Sequence, residues 1–176
     1  MEVRARTDHD LEPTLALLER VHAADGYPST LDDADSFLAP PYEVAAWVAV
    51  SGVDVVGHVA LHRPPGSATA AVASRATGLR PEQHLVLSRL FTSPARRGEG
   101  IGKCLLAQAQ QEAERRGDRA VLDVGTAFPS AVTLYESAGW VRVAEDRQKV
   151  GDEVFDVWVY VAPSDNGPTV HDPRNP

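Results

Sequence analysis

Apolar and polar positions along this chain fall into blocks that switch between helical and strand periods. Val3-Arg4-Ala5-Arg6 alternates residue by residue and predicts a short first strand. Thr7-Asp8-His9-Asp10 then offers capping side chains, and Leu11, Leu15, Leu18 and His22 share one face of a helix. Pro13 fits there, because the first helical turn has no use for its missing N–H. Gly26-Tyr27-Pro28 ends that segment, and a second short helix is expected over Asp32–Leu38, closed by Pro40-Pro41. Two apolar runs follow, Ala45–Val50 and Val55–Leu61, around Ser51-Gly52-Val53-Asp54, which reads as a hairpin connection.

Residues 63–83 hold Pro64-Pro65-Gly66 and many Ala, Ser and Thr, and are expected to form a mobile loop. His84–Thr92 is rich in Leu and Val and predicts a strand, stopped by Pro94. A glycine-rich turn leads from it into a helix over Ile101–Arg116. The apolar stripe there is Ile101, Cys104, Leu105, Ala109 and Ala113, with Gly117 at the C-terminal end. Ala120–Val124 is the next strand, Ser130–Ala138 the next helix, and Trp140–Ala144 and Phe155–Val161 are two further strands around a turn at Gly151-Asp152. The last fourteen residues, 163–176, contain four Pro and read as a tail. The order β-α-α-β-β-β-α-β-α-β-β, with one β-α-β unit, defines an α/β or α+β domain with a partly parallel sheet. A length of 176 residues fits one domain, placed at 1–162.

Charge narrows the classes. Seventeen basic against twenty-five acidic residues leave a net charge of −8, which argues against a nucleic-acid binder built on clustered Lys and Arg. The longest apolar runs are strand-sized and fall far short of the roughly 20 residues that span a bilayer. The charged start Met1-Glu2-Val3-Arg4 does not resemble a signal peptide, so the expected location is cytoplasmic. One cysteine, Cys104, excludes an internal disulfide framework, and six scattered His show no metal-ligand spacing, so no metal is implied.

The most informative stretch is Leu90-Phe91-Thr92-Ser93-Pro94-Ala95-Arg96-Arg97-Gly98-Glu99-Gly100-Ile101-Gly102-Lys103. A strand ends, glycines permit unusual dihedrals, and a helix opens at once. Free N–H groups and the positive dipole end there suit a phosphate or pyrophosphate, with Arg96 and Arg97 beside it. A Walker-type loop would need Gly at position 97 and Ser or Thr after the Lys, where this chain has Arg97 and Cys104. A dinucleotide fingerprint would need its third Gly at position 103, which is Lys103; Asp123 does stand about where a ribose-binding acid would. A dinucleotide-dependent oxidoreductase therefore stays as an alternative.

Arg97-x-x-Gly100-x-Gly102, opening a helix after a strand, resembles the pyrophosphate loop of the GCN5-related N-acetyltransferase family. Ala131-Val132-Thr133-Leu134-Tyr135-Glu136-Ser137-Ala138-Gly139-Trp140 is similar to that family's helix carrying a Tyr near the CoA sulfur and ending in a Gly-aromatic pair. The resemblance covers most of residues 2–161. It implies a mixed central sheet of about six to seven strands flanked by about four helices. It implies acetyl transfer from acetyl-CoA to a primary amine by direct attack in a ternary complex. The pyrophosphate would lie on Arg97, Gly98, Glu99, Gly100, Ile101, Gly102 and Lys103. The pantetheine arm would run along Leu90, Phe91 and Thr92, with a main-chain N–H such as that of Leu90 on the thioester carbonyl. Tyr135 would be the general acid, since a phenol with an ordinary pKa of about 10 keeps its proton at neutral pH. One departure is Phe128, where many members have an Asn that contacts the pantetheine region. Dimerisation is common in that family, so a homodimer is compatible with the resemblance. A CoA-binding module that kept the fold without turnover is the other alternative.

The general base is left open among His58, His62, His84 and Asp123. Cys104, on the apolar stripe, is expected to be a buried thiol. Asp25, Asp32, Asp33 and Asp35 with Tyr27, Phe37 and Tyr42 fall where that family commonly lines its acceptor site. That set suits a small cationic amine.

Overall fold

The computed structural model describes residues 1–150, 153–164 and 170. Seven strands form one mixed sheet: β1 (Glu2–Ala5), β2 (Glu43–Ser51), β3 (Asp54–His62), β4 (His84–Thr92), β5 (Arg119–Gly125), β6 (Val141–Val150) and β7 (Glu153–Val161), in the order β1-β2-β3-β4-β5-β7-β6. Five helices accompany them: α1 (Leu11–Asp25), α2 (Ala34–Leu38), α3 (Ala68–Thr77), α4 (Ile101–Arg115) and α5 (Pro129–Ser137). The turn expected at Gly151-Asp152 and most of the expected tail, 165–169 and 171–176, lie outside the described residues. Contacts group the chain into two compact units, Met1–His62 with Leu87–Ala109, and Arg63–Val86 with Gln110–Pro176.

In the first unit β1 pairs antiparallel with β2, Val3 opposite Ala49, and β2 pairs antiparallel with β3 across a two-residue turn, Gly52-Val53. Gly52 holds φ at 65°, which a hairpin turn of this length needs and glycine supplies without steric cost. Ala46–Ala49 and Val55–His62 are buried without interruption, as expected for strands covered on both faces. Asp10 anchors the start of α1: it accepts from the Thr7 N–H and hydroxyl at 2.8 Å and takes both arms of the Arg4 guanidinium at 2.7 Å. The Arg4 hydrogen bonds hold its carboxyl far below the usual carboxylate range.

The buried face of α1 is Thr14, Leu17, Leu18 and Val21, with Leu11, Leu15 and His22 only half-buried. The helix is thus rotated from the face expected on Leu11, Leu15, Leu18 and His22, because Leu17 and Val21 join the cluster of Leu38, Val48, Val55 and Phe91. In α4 the buried positions are Ile101, Leu105, Leu106, Ala109 and Ala113, and Cys104 is exposed. The expected buried thiol is corrected: at 3.6 residues per turn Cys104 falls about 60° outside Ile101, on the far side from Leu105. The N-terminal half of α4 approaches β3 closely at Gly57. A Cβ there would meet Leu105 Cδ1 at 2.8 Å and Ile101 Cγ2 at 2.9 Å.

In the second unit β4 pairs parallel with β5 over His84↔Arg119, Leu85↔Ala120 and Val86↔Val121. β7 pairs antiparallel with β5 and with β6. The mobile loop expected over 63–83 is corrected, since ten of those residues form α3. Ser67 caps it by accepting from the Ala70 N–H at 3.2 Å, and Gly78 closes it at φ 70°. Its buried residues are Thr69, Ala70, Val72, Ala73 and Thr77. Val72 and Ala73 pack with Val86, Val121, Val159 and Val161, and Val170 from the expected tail packs against that cluster. The fifth helix thus replaces a loop in the expected set of about four.

Because Ile101 and Leu105 fill the space in front of Gly57, Gly57→Val should overpack the contact and lower stability by about 1–3 kcal/mol. Chemical denaturation of the purified variant against wild type reads this directly.

Candidate active site

The glycine turn forms as expected. Pro94–Arg96 makes one tight turn after β4, and Gly98 and Gly100 take φ of 83° and 79°, a region that strains any residue with a Cβ. The first bond inside α4 runs from the Cys104 N–H to the Gly100 carbonyl at 3.1 Å. The amides of Ile101, Gly102 and Lys103 precede it, so they have no carbonyl a turn back within the helix and lie at its positive end. Such a turn can hold a phosphate group on its backbone. The flanking arginines are already engaged: Arg96 forks onto Glu99 at 2.6–3.1 Å, and Arg97 pairs with Asp25 at the end of α1. Both are surface pairs, worth little, so their charges stay open to exchange with a ligand anion.

Upstream in β4, Arg89 has φ of 55°, rare for a residue other than glycine, and this kinks the strand one residue before Leu90. The kink is held from behind by β3. His58 is fully buried, stacks on Phe91 with centroids 5.2 Å apart, and lies 3.0 Å from both the Arg6 guanidinium and the Arg89 carbonyl. Arg6 has only protons to offer, so it donates to His58 Nε2, and His58 Nδ1–H donates to the Arg89 carbonyl. The ring is therefore neutral, with its proton on Nδ1. Burial, aided by the Arg6 charge, pushes its pKa down to about 4. Arg6 also donates to the Leu38 carbonyl and to Glu43 Oε1, each at 2.8 Å.

Around the Arg89 side chain is a polar cluster centred on one of the candidate bases, His62, whose partners Ser88, Arg89 and Glu43 sequence reasoning missed. Ser88 Oγ lies 2.5 Å from His62 Nδ1, and Arg89 Nη1 lies 2.5 Å from Nδ1 and 2.9 Å from Nε2 of the same ring. Glu43 Oε2 stands 3.9 Å from His62 Nε2, and Tyr42 meets the ring edge-on at 5.5 Å. Burial holds the His62 pKa below its ordinary value, with Arg89 reinforcing the shift and Glu43 opposing it. Burial disfavours the Glu43 carboxylate, but His62 and Arg6 outweigh it and the pKa falls. The one signal in the sequence was Ser88-Arg89, a polar pair interrupting the apolar run Leu85-Val86-Leu87 and Leu90-Phe91.

Two other candidate bases, His84 and Asp123, are hydrogen-bonded within the second unit. His84 is buried against the end of α3, 3.1 Å from Thr77 Oγ1, and burial lowers its pKa. Asp123 accepts from Thr69 Oγ1 at 2.6 Å, and Gln148 donates to the same hydroxyl at 3.0 Å. Asp32, Asp33 and Asp35 lie on the surface, while Tyr27 meets Phe37 edge-on at 6.2 Å.

Tyr135 is buried near the end of α5, its ring 6.0 Å from those of Trp140 and Tyr160. The helix ends with Gly139 at φ 79°; its N–H bonds the Glu136 carbonyl and the Trp140 N–H bonds the Tyr135 carbonyl, each at 3.1 Å. This is a Schellman closure, in which the residue after the glycine folds back over the last turn. The Gly-aromatic pair thus fixes the Tyr135 ring by packing. Phe128 is exposed beside Gly125, where a Cβ would come within 3.0 Å of its ring.

Solved structures share this fold. The ribosomal-protein-S18-alanine N-acetyltransferase of Escherichia coli superposes with a TM-score of 0.66 at 16% identity, over 94% of this chain and 97% of that one. For yncA of Salmonella typhimurium, solved with its cofactor acetyl-CoA, the values are 0.67, 17%, 97% and 98%. At such identities the likeness is one of fold, and the class it defines is the acetyltransferase α/β fold. Residues 11–140 match the acetyltransferase (GNAT) family, and the chain belongs to that family. A human relative, N-acetyltransferase 8, is 36% identical over 78 residues, 44% of this chain; the match spans 31% of that protein's length. Among the described residues no helix is long and apolar enough to cross a membrane, and no cluster of three His, Cys, Asp or Glu could hold a metal ion.

The neutral, buried state of His58 makes stability pH-dependent. Its folded pKa of about 4 lies below the ordinary 6.5, so the unfolded chain binds the extra proton as pH falls through that window. The contribution is fully present above pH 6.5 and is lost towards pH 4, on the order of 3 kcal/mol. Urea denaturation at intervals from pH 7.5 to 4.5 should show this decline. His58→Gln should be less stable at pH 7.5, with a shallower decline.

Proposed function

We propose that this chain is an acetyl-CoA-dependent N-acetyltransferase that works by direct attack of a primary amine in a ternary complex. The observation that carries the reading is the turn opening α4, with Gly98 and Gly100 at positive φ and the amides of Ile101, Gly102 and Lys103 at a helix N-terminus. Family membership and an acetyl-CoA-bound relative in fold support it.

When bound, acetyl-CoA supplies an activated acyl group as its thioester. Backbone from Arg97 to Lys103 would hold the pyrophosphate. Leu90, Phe91 and Thr92 would lie along the pantetheine arm in a sheet-like pairing. The Leu90 N–H would stabilise the oxyanion that forms as the amine nitrogen attacks the thioester carbon. Tyr135 would give its proton to the sulfur as the C–S bond breaks, and the proton released by the amine would pass to water. The acceptor is a small cationic amine that gives up one proton to water before it attacks, since an ammonium nitrogen has no lone pair, and Tyr135 regains its own proton from water after the thiol leaves. Residues 1–162 act as one catalytic domain in this reading.

Thermal melting with acetyl-CoA, CoA and NAD is the test. Ligand at a hundred times its dissociation constant adds about 2.7 kcal/mol, a shift that is easily read. A rise with both CoA forms and none with NAD is expected, and Gly100→Ala should weaken it at least about tenfold in ligand concentration by straining the turn. A rise with NAD alone overturns the reading. Tyr135→Phe should keep the acetyl-CoA shift and lower turnover at least about tenfold, read as thiol release; unchanged turnover would remove Tyr135 from the chemistry.

A further inference from the structure

Arg89 is the anomaly of the first unit. Its side chain leaves the kink of β4 and lies over the Phe37 ring, 4.6 Å from guanidinium carbon to centroid. Its polar neighbour is the His62 ring, which burial keeps below its ordinary pKa and which cannot balance a positive charge. Nε is buried and makes no hydrogen bond, and among the described residues no carboxylate lies within ion-pair distance of Arg89. The nearby acid, Glu43, gives Oε1 to Arg6 at 2.8 Å, and its Oε2, buried without a hydrogen bond, faces His62 Nε2 at 3.9 Å rather than Arg89. A half-buried guanidinium without a counter-charge is costly, and proteins normally pair such groups.

From this we infer that Arg89 is the acceptor's carboxylate-binding residue, so that the amine acetylated is a zwitterion of the amino-acid kind. The inference rests on the acetyl-transfer reading above and narrows its substrate class. Three features of the unit favour a carboxylate. Arginine presents a planar fork that matches two carboxylate oxygens, and with Nη1 on the His62 ring and Nε buried, Nη2 is the donor that makes no hydrogen bond and is not sealed from solvent. Phe37 covers one face of the guanidinium, leaving its edge as the polar approach. Arg89 also directly precedes Leu90 in the chain, so an anion held on its fork keeps the attached amine close to the backbone assigned to the thioester. The sequence alone suggested a cationic acceptor, from the acidic residues before β2. Asp25 is instead paired with Arg97, and Asp32, Asp33 and Asp35 lie on the surface.

The test compares the standard L-amino acids with their carboxamides as acceptors, following thiol release from acetyl-CoA. Each amide keeps the amine and the side chain and loses only the negative charge. Wild type should turn over at least one amino acid with kcat/KM tenfold or more above that of its amide. Arg89→Asn, a residue that tolerates the left-handed backbone at this position, should bring that ratio to within about threefold of one, mainly through KM. Arg89→Lys should recover part of the ratio, since it keeps the charge without the fork. The acetyl-CoA melting shift, measured on every variant, reports a folded protein with its donor site intact. Equal or better turnover of the amides overturns the proposal, as does a preference that survives in Arg89→Asn. A normal melting shift with no turnover of either set also overturns it and leaves donor binding standing. Absence of the shift in wild type overturns the donor reading itself, and this proposal with it.

Discussion

The first unit depends on how the kink in β4 is held. Arg89 sits in a backbone region that costs a residue with a side chain about 1 kcal/mol or more, so the conformation persists only if its surroundings enforce it. The enforcing element is a buried chain of hydrogen bonds, from Arg6 to His58 and from His58 to the Arg89 carbonyl. It works in one protonation state, because a charged imidazole would lose its acceptor nitrogen and face the Arg6 guanidinium with a like charge. The same kink points the Arg89 side chain towards Phe37 and His62, and sets the direction of the Leu90 amide that follows. Backbone strain, a histidine tautomer and the placing of the Arg89 guanidinium are therefore linked.

Glycine does its work where the backbone must turn through conformations closed to other residues. Gly98 and Gly100 shape the entry to α4, and Gly139 shapes the exit from α5. The two ends are opposite in character. One leaves N–H groups without intrahelical partners at a positive helix end, which suits an anion; the other satisfies its carbonyls internally and seats Trp140 against Tyr135. A residue that resembles a family's acid is thus held by packing from a motif visible in the sequence as Gly139-Trp140.

Most elements were legible because their patterns were strong. The hairpin at Gly52, the strand from His84 to Thr92 and the helix opening at Ile101 stand where apolar runs and turn residues put them. What failed was weak in side-chain signal. The helix α3 is built largely from Ala, Ser and Thr, and it buries small residues such as Thr69, Ala70 and Ala73, so its composition imitates a loop. Its Thr69 also donates to Asp123, a partner for that acid which the sequence pattern did not show. The rotations of α1 and of Cys104 were lost for a different reason: several apolar arcs fit each helix, and neighbours choose among them.

By itself, the sequence determined the strands, the principal helices and the glycine turn, because each rests on local periodicity or on a backbone conformation that one residue type adopts readily. It also carried the resemblance in Arg97-x-x-Gly100-x-Gly102 and in the Tyr135–Trp140 segment. The tertiary structure alone decided which polar residues are partnered. Arg6, Glu43, His58, His62 and Arg89 are scattered from position 6 to position 89 and form one cluster through strand pairing. Whether a charge is neutralised depends on what lies across the sheet from it, and a linear pattern carries no record of that distance.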